Sequence, residues 1–492
     1  MSGLGGTAAG RLPRVRAALA SGLLVLLGGC AVLPEPVQRV FSLPEPTASA
    51  EDWGDLERWW ERFGDAALSA DIDRALAANT DLAIAAARVE DAAQQVRVAN
   101  QRLLPDLALD AGVARNKRSE RTATNFPGLP VITDNRQLGL SATYELDVWG
   151  RVRAGERAAN ERLQAQQWAR HAAQMSLAAQ VAISSFRMRT LQQQIRLTES
   201  TLTLADEALG LIRRQRDAGL LGDFEYRQNL AERDAFAVRL TDLRDALQRG
   251  RRAHARLLGA DPAAIWGAGL ADARIDTESS VDAATLPALH EIPEGLPSGL
   301  LLQRPDVREA ESQLRASSAD VAAARAAFFP QLSLTGRYGY QSRDLSDLLV
   351  GPARIWTLGL GLLQPITGAR LLDAQLKAAR ARVRVAEAAY VQAVQSAFVD
   401  AGNAFGARAA AREARLLQEQ RQQALTDTLR MATRRFDAGL TGALEVIDAR
   451  RSLLAAQLDA LDRRNAELGA TVDIYRALGG GWSQAANDAS RP

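Results

Sequence analysis

The sequence predicts a mainly α fold with a membrane β-barrel portion, and three observations carry that reading. The stretch Arg214–Glu225 recurs, much further along the chain, as Arg434–Glu445. Each copy adjoins a long heptad-patterned run without proline, the mark of a very long coiled-coil helix. Each half also contains two stretches that alternate apolar and polar residues, the mark of strands with two different faces. Composition agrees. Hydrophobic residues make up 47% of the 492, yet aromatics only 5%, so the apolar mass is largely the helix formers Ala and Leu. The 60 basic and 58 acidic residues are interspersed and leave a net charge of +2, with no basic patch of the kind that binds nucleic acid.

The N-terminus reads as a targeting segment. Arg11, Arg14 and Arg16 precede a short apolar run from Ala17 to Leu27, which ends in Leu27-Gly28-Gly29-Cys30. That run is shorter than a membrane-spanning helix needs. Residues 1–29 are expected to be a signal peptide. Cys30 is the only cysteine in the chain and cannot form an internal disulfide. Residues 30–50 include the proline-rich stretch Pro34–Pro46 and read as an extended tether.

The duplication sets the domain plan. Arg214–Glu225 matches Arg434–Glu445, with the pairs Asp217/Asp437, Ala218/Ala438, Gly219/Gly439, Leu220/Leu440 and Gly222/Gly442 identical. Leu103–Leu109 likewise matches Phe328–Leu334 around Pro105 and Pro330. The first repeat is placed at 51–260, with long helices over 151–218 and 223–258. The second is placed at 299–480, with long helices over 369–438 and 443–478. An inter-repeat segment occupies 261–298 and a tail 481–492. The run 369–438, if helical throughout, spans roughly 100 Å at ~1.5 Å per residue. Rows such as Leu191, Ile195, Thr198, Leu202, Ala205 and Leu209 form a coiled-coil seam.

Strands are expected over 105–115, 136–148, 330–341 and 354–365. In the second, Leu138, Leu140, Ala142, Tyr144 and Leu146 face one way, and Gln137, Gly139, Ser141, Thr143 and Glu145 the other. Tyrosines and tryptophans near strand ends fit an interfacial girdle. The connections 116–135 and 342–353 read as polar hairpin loops. Four strands cannot close a barrel in lipid, where open edges would leave backbone groups unpaired, so strands from two or more chains must combine.

Three stretches now resemble a known family. Trp59-Trp60-Glu61-Arg62-Phe63-Gly64-Asp65, Gln303-Arg304-Pro305-Asp306 with Phe328-Phe329-Pro330, and Tyr144–Arg151 resemble the TolC-like outer-membrane factors, and most closely their OprM/NodT-type lipoprotein branch. The resemblance implies a homotrimer whose twelve-stranded β-barrel, four strands per chain, continues as a trimeric α-barrel tunnel. Residues 261–298 would lie in an equatorial region around it. Leu-Gly-Gly-Cys resembles the bacterial lipobox, so Cys30 would carry covalent lipid, and Ala31 after it favours the outer membrane. The turns Asp217-Ala218-Gly219-Leu220 with Gly222, and Asp437-Ala438-Gly439-Leu440 with Gly442, would contact a periplasmic adaptor (membrane fusion) protein. Leu444 and Asp448, one helical turn apart, match the family's hydrophobic and acidic periplasmic gate. The duplicate positions hold Phe224 and Gln228, so no acidic ring is expected from the first half.

No enzymatic chemistry is expected. His171, His254 and His290 do not form a metal-ligand spacing, and neither a phosphate loop nor a nucleophile elbow occurs. No cofactor is implied beyond the lipid. The reading is a passive outer-membrane channel subunit of a tripartite efflux system, partnered by the adaptor and an inner-membrane pump of the resistance-nodulation-division type. The alternatives are a type I protein-secretion duct and, in another class, a periplasmic structural coiled-coil lipoprotein.

Overall fold

The structure is a computed structural model that describes residues 56–121, 130–267, 286–288 and 298–480. The expected signal peptide, Cys30, the tether, the tail and most of the inter-repeat segment lie outside the described residues. The chain divides into two compact units, and it passes between them within four of its helices.

One unit comprises the described parts of 94–161 and 314–385 and is built on a four-stranded antiparallel sheet. Its strands are β1 (Asp106–Lys117), β2 (Ile132–Leu146), β3 (Gln331–Ser342) and β4 (Arg354–Leu363), in the spatial order β1-β2-β3-β4. The seam between the two repeats is the β2–β3 ladder, in register from Arg136↔Ser342 to Leu146↔Leu332.

The first hairpin differs from expectation. β1 and β2 stay paired out to Lys117↔Ile132, so residues expected as loop at Asn116–Lys117 and at Ile132–Asn135 belong to the ladder. Main-chain pairing needs no apolar side chains, and the alternation that marks a strand fades where side chains leave the apolar zone. At the other end β2 stops at Leu146, because Val148 N–H turns back to Leu146 O at 2.8 Å. β4 stops at Leu363, ahead of Pro365, which has no N–H to donate.

The second unit comprises the described parts of 40–93, 162–313 and 386–492. Its helices are α1 (Ala66–Ala78), α2 (Thr80–Gln101), α3 (Arg151–Asp217), α4 (Asp223–Leu257), α5 (Pro305–Ala326), α6 (Ala369–Asp437) and α7 (Ala443–Ala477), of which α2, α3, α5 and α6 begin or end in the first unit. α3 and α6 run for 67 and 69 residues, and each closes one residue before the expected end because Ala218 and Ala438 lie at the cap. No helix among the described residues is long and apolar enough to cross a membrane.

The core of this unit is aromatic at its centre. Trp59 is wholly buried, stacked on Tyr475 of α7 at 5.3 Å and edge-on to Trp60 at 5.7 Å. Phe63 packs against Phe186 of α3 at 5.2 Å. Asp65 then caps α1, accepting from Leu68 N–H at 3.0 Å, and its other oxygen is in close charge contact with Arg189 of α3. Both members of that pair are buried. Asn79 caps α2 and donates to Leu257 O at 2.9 Å. His254, also buried, lies between Ser184 Oγ at 3.1 Å and Asp71 at 3.3 Å, which makes it a tie between α1, α3 and α4.

Arg304 occupies a comparable place in the second repeat. Its guanidinium binds Asp306 through two nitrogens at 2.7 and 3.0 Å, Asp400 of α6 at 3.0 Å and the carbonyl of Ala477 at 3.0 Å. The Gln303–Asp306 stretch is thus a buried clamp at the head of α5, with Pro305 opening that helix where a missing N–H costs nothing.

Candidate functional site

Two regions, one in each unit, hold the side chains with functional potential. The first is the sheet. The register puts Leu107, Leu109, Leu138, Leu140, Leu332, Leu334, Tyr338, Trp356, Leu358 and Leu360 on one face. That face is uncovered: Leu109 is 75% exposed, Trp356 73% and Leu358 69%. A sheet facing water does not leave so contiguous an apolar surface open. The opposite face carries Gln137, Ser141, Thr143, Ser333, Thr335 and Gln341. On it Arg337 of β3 and Asp110 of β1 form an ion pair that passes over Gly139 of β2, where a side chain would begin 3.5 Å from both. The outer strands β1 and β4 each keep one unpaired edge in this sheet.

The joints between sheet and helices are fixed by the Tyr144–Arg151 stretch. Asp147 caps α3 by accepting from Val152 and Arg153 N–H at 3.0 and 2.9 Å. Arg151 grips Glu145 through two nitrogens at 3.0 and 2.6 Å. Trp149 stacks on Phe329 at 4.7 Å and donates to Pro330 O at 2.8 Å, which joins the strand ends of the two repeats.

The second region is the pair of helix-hairpin turns. Gly219 and Gly439 both have φ +69, and the bonds Leu220 N–H to Gln215 O and Leu440 N–H to Arg435 O close α3 and α6 in the same Schellman cap. Asp217 pairs with Arg216 at 2.8 Å, and Arg216 also lies 4.0 Å from the ring centre of Tyr226. Ala218, Asp437 and Ala438 are likewise exposed. Leu220 and Leu440 point into solvent at 76% and 73% exposure, and Phe224 is 72% exposed. Gly222 and Gly442 cap α4 and α7 with extended backbone, φ −79 in both, a conformation open to any residue.

Leu444 and Asp448 follow on α7. Leu444 is 49% exposed, and Asp448 bonds Arg451 at 3.0 Å. The neighbour that sequence reading missed is Glu232 on α4. One of its carboxylate oxygens is buried without a hydrogen-bond partner. Burial pushes its carboxyl above the usual carboxylate range; Arg451 opposes that shift and Asp448 adds to it. Glu232 belongs to the first repeat and its charged neighbours to the second, so no local pattern marks it.

The comparisons decide the family. The pattern described as "Outer membrane efflux protein" matches residues 72–260 and 296–480, once for each repeat. This chain belongs to the outer membrane efflux protein family. It is 32% identical over 479 residues to the solvent efflux pump outer membrane protein SrpC of Pseudomonas putida, covering 94% of this chain and 98% of that one. It is 31% identical over 467 residues to the pyoverdine export outer membrane protein OpmQ of Pseudomonas aeruginosa, covering 93% and 95%. Among solved structures it is similar to the CmeC outer membrane channel of Campylobacter jejuni, with a TM-score of 0.82, 25% identity and coverage of 91% and 92%. The family consists of outer-membrane channels, TolC-like in fold, that reach into the periplasm and serve efflux pumps. This efflux protein shares their helical repeats and their sheet.

Proposed function

We propose that this efflux protein is the outer-membrane duct of a tripartite efflux system, working as a homotrimer with a periplasmic adaptor and an inner-membrane pump of the resistance-nodulation-division type. It conducts small molecules passively and catalyses no reaction. Lipid on Cys30 anchors it. The observation that carries the reading is the sheet, with one face apolar and uncovered, the other polar, and both edges open. Such a sheet is stable in lipid only as an arc of a closed barrel, the apolar face outward and the polar face lining a conduit. A periplasmic structural coiled coil has no use for that sheet.

Deletion of the gene should raise susceptibility to drugs or solvents and leave secreted proteins unchanged, and the purified protein should conduct in planar bilayers. Unchanged susceptibility together with loss of an exported protein would favour a type I secretion duct instead.

The turns at Asp217–Gly222 and Asp437–Gly442 are the adaptor-contact points in this reading. The exposed Leu220 and Leu440 offer apolar surface. A Cβ at Gly442 would meet nothing within 4 Å, so the chain's own packing leaves that backbone open to the close approach of a partner. Gly442→Trp, at an extended position that tolerates any residue, is expected to abolish site-specific crosslinking to the adaptor and to restore drug susceptibility, while outer-membrane levels stay normal. Intact crosslinking would refute the contact.

Leu444 and Asp448 are proposed as the periplasmic gate, with Glu232 as its pH-sensitive support. A carboxyl whose folded pKa is raised binds its proton more tightly in the folded arrangement. That contribution is present at low pH and is lost as pH rises from about the ordinary carboxylate value through the raised one. The α4–α7 contact should therefore tighten on acidification. Protection against hydrogen exchange around Glu232, after correction for the intrinsic pH dependence of exchange, is expected to be greater at about pH 5 than at about pH 7.5, and Glu232→Gln should remove that difference. Asp448→Ala should raise open-state occupancy and weaken cation preference in planar bilayers; unchanged selectivity and opening would count against the gate.

A further inference from the structure

Toward the hairpin end the apolar face of the sheet gives way to cations, with Ile132, opposite Lys117, the one large apolar side chain of the strands beyond them. Along β4 the outward residues run Leu362, Leu360, Leu358, Trp356 and then Arg354. On β2 they run Leu138 and then Arg136, and on β1 Val113, then Arg115 and Lys117. On β3 they run Tyr338, then Tyr340, directly opposite Arg354, and then Ser342, opposite Arg136. From Leu362 to Arg354 is about 27 Å along the strand at ~3.4 Å per residue, and roughly 20 Å along the barrel axis once the strand tilts. That matches an apolar band about 25 Å tall, so the cations fall at its upper edge, at headgroup level. The helices all leave from the opposite end of the sheet, so the hairpin end belongs to the outer leaflet.

These cations are not consumed within the sheet. Asp134 is the one acidic residue on this part of the face, and it lies 3.6 Å from Arg115. Arg136 donates to the carbonyl of Arg343 and keeps its charge. Lys117 and Arg354 form no ion pair among the described residues, and both are exposed. Four cations against one carboxylate, on the lipid-facing side and next to an interfacial tyrosine, are too many for solvation alone to favour at that depth. Arginine matches phosphate oxygens bidentately.

The geometry points to a phosphate-binding girdle in which Arg115, Lys117, Arg136 and Arg354 hold the phosphorylated headgroups of an outer-leaflet glycolipid. The assignment rests on the membrane orientation proposed above and adds a ligand class to it. Each cation near an anionic lipid surface contributes roughly fivefold in binding, so the set is worth far more than any one member.

The test compares the wild-type protein with the Arg115→Gln, Lys117→Gln, Arg136→Gln, Arg354→Gln variant. Each is reconstituted in phosphatidylcholine bilayers with and without a bisphosphorylated glycolipid, and the reading is thermal stability and the glycolipid retained on extraction. The wild type is expected to melt higher with the glycolipid and to retain it at least tenfold better than the variant, while both conduct equally. Equal retention by the two proteins, or no stabilisation of the wild type, would overturn the girdle. The same stabilisation from inorganic phosphate would overturn the lipid source. If the fourfold variant does not insert, the Arg136→Lys, Arg354→Lys variant, which keeps charge, must retain glycolipid, and the corresponding pair of glutamines must not. Conductance lost in every protein would instead refute the channel reading itself.

Discussion

Replacing Arg189 by methionine should destabilise the protein by about 3–5 kcal/mol, the usual consequence of removing one partner from a buried ion pair. Arg189 and Asp65 are 8% and 7% exposed, so neither charge can be rescued by water in the folded state. With the guanidinium gone, Asp65 would keep its bond to Leu68 N–H and lose the partner of its second oxygen. The damage would spread because Asp65 opens α1 directly after the Trp59–Phe63 turn, whose rings fill the core against Phe186 and Tyr475. The companion Arg189→Met, Asp65→Asn variant should recover a large part of the loss, because asparagine still caps the helix and carries no charge. The check is the thermal transition of the detergent-solubilised protein. A single variant as stable as the wild type would show that the pair contributes nothing.

The second large effect is in the sheet. A Cβ on Gly339 would lie 2.3 Å from Leu138 O and 2.6 Å from the Cα of Gly139, closer than any real contact, and both are backbone atoms that no side-chain adjustment can move. Gly339→Val should therefore pry β3 from β2 at the seam between the repeats. A loss above about 4 kcal/mol is expected, enough to remove folded protein from the outer membrane. Gly336→Ala is the matched control, since its Cβ would sit 3.9 Å from that of Ala142 in ordinary contact. Mobility of heated and unheated outer-membrane fractions on gels should show the folded form for Gly336→Ala and none for Gly339→Val.

These two positions show what was legible in the sequence and what was not. The strands and long helices could be read because their signals are local: Leu138–Leu146 alternates within itself, and the α3 and α6 turns repeat the same Asp-Ala-Gly-Leu. The hairpin end of β1 and β2 was hidden because its pairing is carried by main-chain bonds under polar side chains. The three stretches that mark the family were read as signatures, and the structure gives them a mechanical meaning. Asp65 caps and neutralises, Arg304 clamps α5, α6 and the end of α7, and Trp149 joins two strand ends. Glu232 could not be found beforehand, since its surroundings exist only once α4 meets α7. Gly339 was invisible for a similar reason: a glycine in an alternating strand reads as a gap until its cross-strand neighbour proves to be Gly139.

The central claim is that one chain supplies an arc of a barrel and other copies complete it. Native mass spectrometry of the detergent-extracted protein tests it most directly, read beside conductance of the same preparation. A single species of three chains that conducts, and that stops conducting when dissociated, is the predicted result. A conducting species containing only one chain would contradict it.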